Sequence, residues 1–509
     1  MKFCKWTFRI IVMTLILSCC CVNQVFAASS DAYKSEKING VGVKYVTLDM
    51  KDKNIQPRVL NAQNQICATE SLASMAKKAG AFAAINGTYF EAYGGTPVPW
   101  GTIIKDGKVL HISQSGAVVG ITSSGKLLVD RLSFEFAGYI NGEYRAIPWR
   151  INHPSTEAEA ITIFTPEYAT TVNLAPGAKG VIVSNDHVSS IASSSFNVPE
   201  NGFAIVYNGA SSYLVDERYK VGDEVYYEVM IKPTFTNPSD WEEVQCAIGA
   251  GPSLIINGNV TASGEEEGFF EAKINTSSSP RSFIGATADG KIIMGNMDGA
   301  TLKKAAAACQ SMGLVNAMCL DGGYSIALYY APAGVSMAGR DINNGLAFVG
   351  RTTNNISSNI TSTGNRAIKA ISTTADLSID GGYVDIEAYN INGNNYYKLR
   401  DLAMALNNSG KQFEVAWDGG KNAINIYTLK PYSALGGELA KSGVMGSKEA
   451  VATNAALYIN DQAASFVAYN INGNNYYKLR DLGQAINFAV IWDEYANTII
   501  IDTALDYIP

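Results

Sequence analysis

The chain has 509 residues, 47% of them hydrophobic, with 39 Lys and Arg against 46 Asp and Glu, which suits about two to four folded domains and excludes a disordered polymer. A formal charge of −7 with no basic tract argues against a nucleic-acid partner, because binding a phosphate backbone needs concentrated Lys and Arg. Three histidines, His111, His153 and His187, leave a His-rich metal centre almost no raw material.

In chain order, Lys2, Lys5 and Arg9 precede an apolar run from Ile10 to Cys21, and Val25-Phe26-Ala27 ends it as signal peptidase requires. Residues 1–27 therefore read as a secretory signal. Lipoprotein processing at Cys19, after Ile16-Leu17-Ser18, is the weaker alternative. Loss of the signal leaves 36 basic against 46 acidic residues, a charge of −10. No later stretch is apolar for the roughly 18 residues a spanning helix needs, so no transmembrane segment is expected after cleavage. Cys67, Cys246, Cys309 and Cys319 remain without any CxxC pair. That spacing argues against a zinc knuckle or redox dithiol and leaves two readings, disulfides in an oxidising compartment or buried free thiols.

Residues 35–351 form one long mixed segment of short strands, glycine turns and two predicted helices. The first spans Ser71 to Lys78 with Thr69 or Ser71 as cap, and the second spans Thr301 to Ser311 and stops at Gly313. Leu314 to Leu320 reads as a buried strand ending on Asp321-Gly322-Gly323. Asp106-Gly107, Asn257-Gly258 and Asp289-Gly290 read as hairpin turns. Residues 352–370 are a linker whose start, TTNNISSNITSTGN, has no apolar cluster. Beyond it AYNINGNNYYKLRDL occurs twice, at Ala388–Leu402 and Ala468–Leu482, each copy followed by a tryptophan strand. This is a duplicated unit, 371–430 and 451–509, joined by residues 431–450. The tyrosines of the block, Tyr396-Tyr397 and Tyr476-Tyr477, are assigned to the core rather than to sugar stacking.

Four places carry candidate chemistry. Asn86-Gly87 follows an apolar strand, and its amide can donate to and accept from a sugar hydroxyl or a phosphoryl oxygen, although taken alone a hairpin turn is the plainer reading. Arg281 could clamp a phosphodiester bidentately or form an ordinary salt bridge. Asp298-Gly299 and Asp321-Gly322-Gly323 flank one strand–helix–strand unit, and glycosyl transfer to water commonly uses two carboxyl groups. A cap or turn is the plainer role for each aspartate. No G-x-S-x-G elbow is present, and Ser253 has no local base partner, so an esterase or peptidase has little support.

Taken together, AAINGTYF at Ala83–Phe90, AIGAGPSLIINGNV at Ala247–Val260, SPRSFIGATADGK at Ser279–Lys291, MDG at Met297–Gly299 and LDGGYS at Leu320–Ser325 resemble the phosphodiester glycosidase family over about Val43 to Gly350. The resemblance implies a mixed α/β catalytic domain with a central sheet. It also implies catalytic roles for Asn86, Arg281, Asp298 and Asp321, with Arg281 on phosphate and the aspartates near the anomeric carbon. Gly87, Tyr89, Gly322, Gly323, Tyr324 and Ser325 are then expected to bind substrate. Tyr324 stands where the family often has a third glycine, and Thr88 replaces a frequent glycine. Both changes bear on which sugar is taken.

The duplicated units resemble the small N-terminal domain of some copper amine oxidases, which recurs in secreted proteins of spore-forming bacteria. This implies a location outside a Gram-positive cell and an attachment or spacer role at the envelope. It imports no copper chemistry, because residues 371–509 contain no histidine. The expected whole is an α+β protein, a catalytic domain followed by two small α+β repeat domains. It would be a hydrolase acting on a sugar-1-phosphodiester in an extracellular or surface glycopolymer, the alternative being a non-catalytic glycan-binding or envelope-assembly protein. The motifs fix no cofactor and leave a metal requirement open: several Asp and Asn side chains could bind Ca²⁺, although no full EF-hand loop occurs.

Overall fold

The computed structural model describes residues 29–350 and 368–508, apart from 114, 147, 170, 374, 392–393, 442–446, 454, 465 and 494–495. The expected signal segment and most of the linker lie outside the described residues. The class is α+β, with 15% helix and 47% strand.

A seven-stranded sheet organises the large segment, in the order Tyr33–Ile38, Val41–Asp49, Lys291–Ala300, Ser279–Thr287, Leu314–Leu320, Ser253–Ile256, Asn259–Val260. Both of its faces are covered. Phe283 points to the layer formed by helix Leu302–Ser311, and Ile284 points to the core shared with the neighbouring sheets; both are fully buried. That is why its strands read as apolar runs rather than alternating ones. The helix forms where predicted. Thr301 Oγ accepts the N–H of Lys304 at 3.3 Å, alanines fill the buried face, and Gly313 takes the left-handed conformation, φ +78°, that ends the run. The earlier helix, Leu72–Lys78, is capped by Ser71 rather than Thr69.

Two five-stranded sheets share the core opposite this helix. One, in the order Val335–Met337, Leu328–Tyr330, Ala81–Asn86, Asn344–Gly350, Ile55–Asn61, places Asn86 at a strand end beside Asn344. Residues 132–233 contribute two further sheets with a separate core around Ile163, Val181, Ile205 and Tyr207, a subdivision within the stretch that reads as one mixed segment. All four described cysteines are free thiols, three of them buried.

The repeats pack differently from two beads on a string. Three strands of each copy close a single barrel, in the order Ile368–Ser372, Ala388–Ile391, Asn394–Lys398, Asn474–Lys478, Ala468–Ile471, Ser447–Ala452. Each outer sheet is also shared. Asp376–Ile379 of the first copy pairs in parallel with Thr498–Asp502 of the second, and Ala423–Thr428 pairs with Ala456–Ile459. Tyr396, Tyr397, Tyr476 and Tyr477 are all buried. Cross-copy rings meet edge-on at 5.3 Å, Tyr389 on Tyr476 and Tyr396 on Tyr469, contacts each worth about 1 kcal/mol beyond area burial. A block repeated identically can do this because two copies related by an approximate twofold present the same surface to each other.

Candidate active site

Asp321 follows the last residue of the Leu314–Leu320 strand, and its main chain is held from both sides. Its N–H donates to the Gly87 carbonyl at 3.0 Å, and its carbonyl accepts from Asn86 Nδ2 at 2.7 Å. Asn86 Oδ1 accepts from Ser282 Oγ at 2.6 Å and from the Ala327 N–H at 3.0 Å. The Asn86 side chain is fully buried and both ends of its amide are occupied, so it positions Asp321 and is not open to a sugar hydroxyl. Ser282 Oγ also lies 2.8 Å from Asn296 Oδ1. A hydroxyl has one proton, so Asn296 satisfies this contact when its amide is reversed, which also gives its otherwise unpartnered Nδ2 an acceptor.

Gly87 is required by crowding, since a methyl group there would overlap Asn344 Oδ1. That oxygen accepts the Thr88 N–H at 3.0 Å, and Asn344 Nδ2 donates to Thr88 Oγ1 at 2.8 Å. Thr88 thus belongs to the framework behind the site.

The Asp321 carboxyl is pushed up from 3.8 to about 7, chiefly by burial. The Ser325 hydroxyl, the Arg340 charge, the Gly322 N–H and the Lys273 charge partly offset that rise. Gly322 and Gly323 lead into a short 3-10 turn, Gly323–Ser325, and Gly323 has φ +61°. Tyr89 faces the same place. Its hydroxyl donates to the Gly251 carbonyl at 2.9 Å, its ring touches Phe269 at 5.7 Å, and burial together with the Asp321 charge raises its pKa well above the ordinary value.

Arg281 and Asp298 are placed otherwise than expected. Arg281 is buried and donates from Nε to the Ala300 carbonyl at 2.7 Å and from Nη2 to those of Ile274 and Ser277 at 2.8 and 3.3 Å. Most of its donor fork therefore braces the main chain flanking the strand. Asp298 lies within strand Lys291–Ala300, its side chain 62% exposed and paired with Lys44 at 3.3 Å. It is neither a helix cap, a role Thr301 takes, nor a member of the buried group around Asp321. Ser253 bonds to the buried Glu267 carboxylate through both its N–H and its hydroxyl, and it is fully buried, which keeps it from an outside substrate as a nucleophile.

Sequence reasoning passed over Ser282, Asn296, Asn343 and Asn344. Each is a polar residue inside or beside an apolar run, and that is the signal that could have found them. It also passed over Arg340, which stands beside Tyr324 and influences Asp321. A cavity of about 480 Å³, lined in part by Arg131, Phe235, Lys303 and Gln310, includes none of the candidate residues. Among the described residues no group of three or more His, Cys, Asp or Glu is placed to hold a metal ion, and no helix is long and apolar enough to cross a membrane.

Residues 178–356 match the family model described as phosphodiester glycosidase. The match contains Arg281, Asp298 and Asp321 but not Asn86, and it ends before the repeats. It is narrower than the span the motifs suggest. No curated protein matches the sequence. Among solved structures, a hypothetical protein from Synechocystis aligns at 22% identity and TM-score 0.55, covering 63% of this chain and 61% of that one. The chain thus spans about 61% of that protein's length. A putative exported protein from Burkholderia pseudomallei aligns at 16% identity and TM-score 0.51, covering 61% and 74%. The zebrafish N-acetylglucosamine-1-phosphodiester α-N-acetylglucosaminidase catalytic domain, auto-inhibited by its pro-peptide, aligns at 15% identity and TM-score 0.34, covering 63% and 82%. The first two likenesses establish the fold, and the family match makes residues 178–356 similar to a phosphodiester glycosidase domain.

Proposed function

We propose that the chain is a secreted hydrolase that cleaves a sugar-1-phosphodiester bond in an extracellular or cell-surface glycopolymer, with Asp321 at the reaction centre. The observation that carries this reading is the convergence of Asn86 and Gly87 on the main chain of Asp321, whose carboxyl titrates near neutrality. A base with a pKa near the working pH suits proton abstraction from water. In this scheme Asp321 takes a proton from water as the oxygen attacks the anomeric carbon, and the C1–O bond breaks with its electron pair leaving on the phosphoryl oxygen. A phosphate leaving group is stable on departure and needs charge neutralisation more than a second carboxylic acid, which is compatible with Asp298 standing apart.

Purified protein should release free sugar from a panel of nucleotide sugars and sugar-1-phosphodiesters, and Asp321→Asn should abolish release without unfolding the chain. Wild-type release by that variant would overturn the role of Asp321. The exposed, Lys44-paired Asp298 favours a second reading, glycan binding without hydrolysis; it predicts glycan retention with no sugar released by the wild type. The paired repeats are proposed to attach the enzyme to the envelope, for which the test is retention of the full chain on purified cell walls.

A further inference from the structure

A phosphodiester substrate brings a negative charge that something beside Asp321 must neutralise, and most of the Arg281 fork is already committed to carbonyls. Of the two cations whose charge acts on Asp321, Lys273 is paired with Glu271 at 3.1 Å and Arg340 is not so paired. Its main-chain N–H donates to the Tyr324 carbonyl at 2.8 Å, which ties it to the turn after Asp321. Its guanidinium carbon lies 5.0 Å from the Tyr93 ring centre and 5.8 Å from that of Tyr324, and Nη2 donates to the Tyr93 hydroxyl at 3.2 Å. Among the described residues no carboxylate lies within ion-pair distance of it.

The two tyrosines are 85% and 81% exposed, so the ring surface that Arg340 does not cover is open to a ligand. Stacking on them costs the guanidinium little of its donor capacity, because a cation over an aromatic face keeps its in-plane N–H groups free. Tyr324, which departs from the family pattern, thus supplies one of the aromatic contacts that hold the arginine.

We propose that Arg340, held by Tyr93 and Tyr324, is the anion anchor that receives the phosphoryl group of the substrate; this rests on the hydrolase reading above. The guanidinium neutralises the oxygen that gains charge as the C1–O bond breaks, and the exposed faces of the two rings border the bound sugar. Arg340 is then a substrate-binding residue, and Arg281 a positioning residue for the strand end.

The test uses the full chain with inorganic phosphate as binding probe and the nucleotide-sugar panel as substrates. Arg340→Ala should weaken phosphate binding at least tenfold and lower kcat/KM on a cleaved diester about a hundredfold, with Arg340→Lys intermediate in both. Arg340→Gln should also move the pH midpoint of activity upward, since the cation that holds the Asp321 proton affinity down is gone; a purely structural role for Arg340 would leave that midpoint in place. Thermal melting of Arg340→Lys, which keeps the charge, separates a folding defect from a binding one. Phosphate binding and hydrolysis unchanged in Arg340→Ala would overturn the anchor while leaving the hydrolase reading intact. Phosphate binding that depends on Arg340 with no sugar released from any substrate would overturn the hydrolase reading and leave the anion site. A wild type that binds no phosphate overturns the anchor.

Discussion

Asp298 and Asp321 stand at the two ends of one strand–helix–strand unit, each followed by glycine, and the fold treats them in opposite ways. Asp321 is hydrogen-bonded by Ser325, faces Tyr89 and is clamped through its main chain by Asn86 and Gly87, and desolvation of its carboxyl raises its pKa to about 7. Asp298 sits across the intervening Ser279–Thr287 strand, in water, beside Lys44. Equal local sequence does not mean equal chemistry; what separates the two is which neighbouring sheet covers the strand end. The repeats teach the same lesson. Lys398 pairs at 3.0 Å with the buried Asp401 of its own copy, whereas the equivalent Lys478 reaches Glu242 of the large segment at 2.5 Å.

The sharpest way to break the contrast is Asp321→Asn, expected to lower kcat about 10²–10⁴-fold in a sugar-release assay, with the activity that rises through about pH 7 disappearing. Stability should move with it. A folded-state pKa raised from 3.8 to about 7 makes a stabilising contribution below pH 3.8 that is lost as pH rises to about 7. The Asn variant should therefore melt above the wild type at pH 8 and level with it near pH 4. Asn86→Ala leaves the Asp321 carbonyl and the Ala327 N–H without this partner and Ser282 with Asn296 alone, a loss of about 2–4 kcal/mol in chemical denaturation, with activity falling as the clamp loosens.

The two lysines should separate next. Lys398→Met takes the cation from the buried Asp401, which keeps only the Leu439 N–H at 3.0 Å, and should cost about 3 kcal/mol, while Lys478→Met frees a half-exposed Glu242 and should cost about 1 kcal/mol or less. Equal losses in denaturant titrations would show that the asymmetry of the copies is not energetic. Smallest of all, Asp298→Asn should change kcat/KM less than about twofold, because an exposed pair contributes little. A loss comparable to that of Asp321→Asn would place Asp298 back in the reaction.

Much of the architecture was legible locally. Thr301 and Gly313 bounded a helix, Asn257-Gly258 closed a hairpin between Ile256 and Asn259, and the buried Leu399 and Leu402 marked a helical face. Asn86, Tyr89 and Asp321 were likewise visible as motif residues, and the structure gathers them. Ser282, Asn296 and Asn344 were not singled out, because a lone polar residue in a strand has no local partner to announce it. Arg281 could not be resolved between phosphate and framework, since its acceptors at Ala300, Ile274 and Ser277 are main-chain carbonyls that any sequence supplies.

By itself the sequence determined the class, the strand–helix–strand unit, the duplication and the absence of histidine from the repeats, because propensity, capping, periodicity and composition act over a few residues. Only the tertiary structure decided which aspartate is desolvated, which arginine is spent, and that the two copies share one barrel. Those outcomes depend on burial and on partners from distant strands, as when Asn86 meets Asp321 across 235 positions of chain, and such pairings exist only once the sheets have packed.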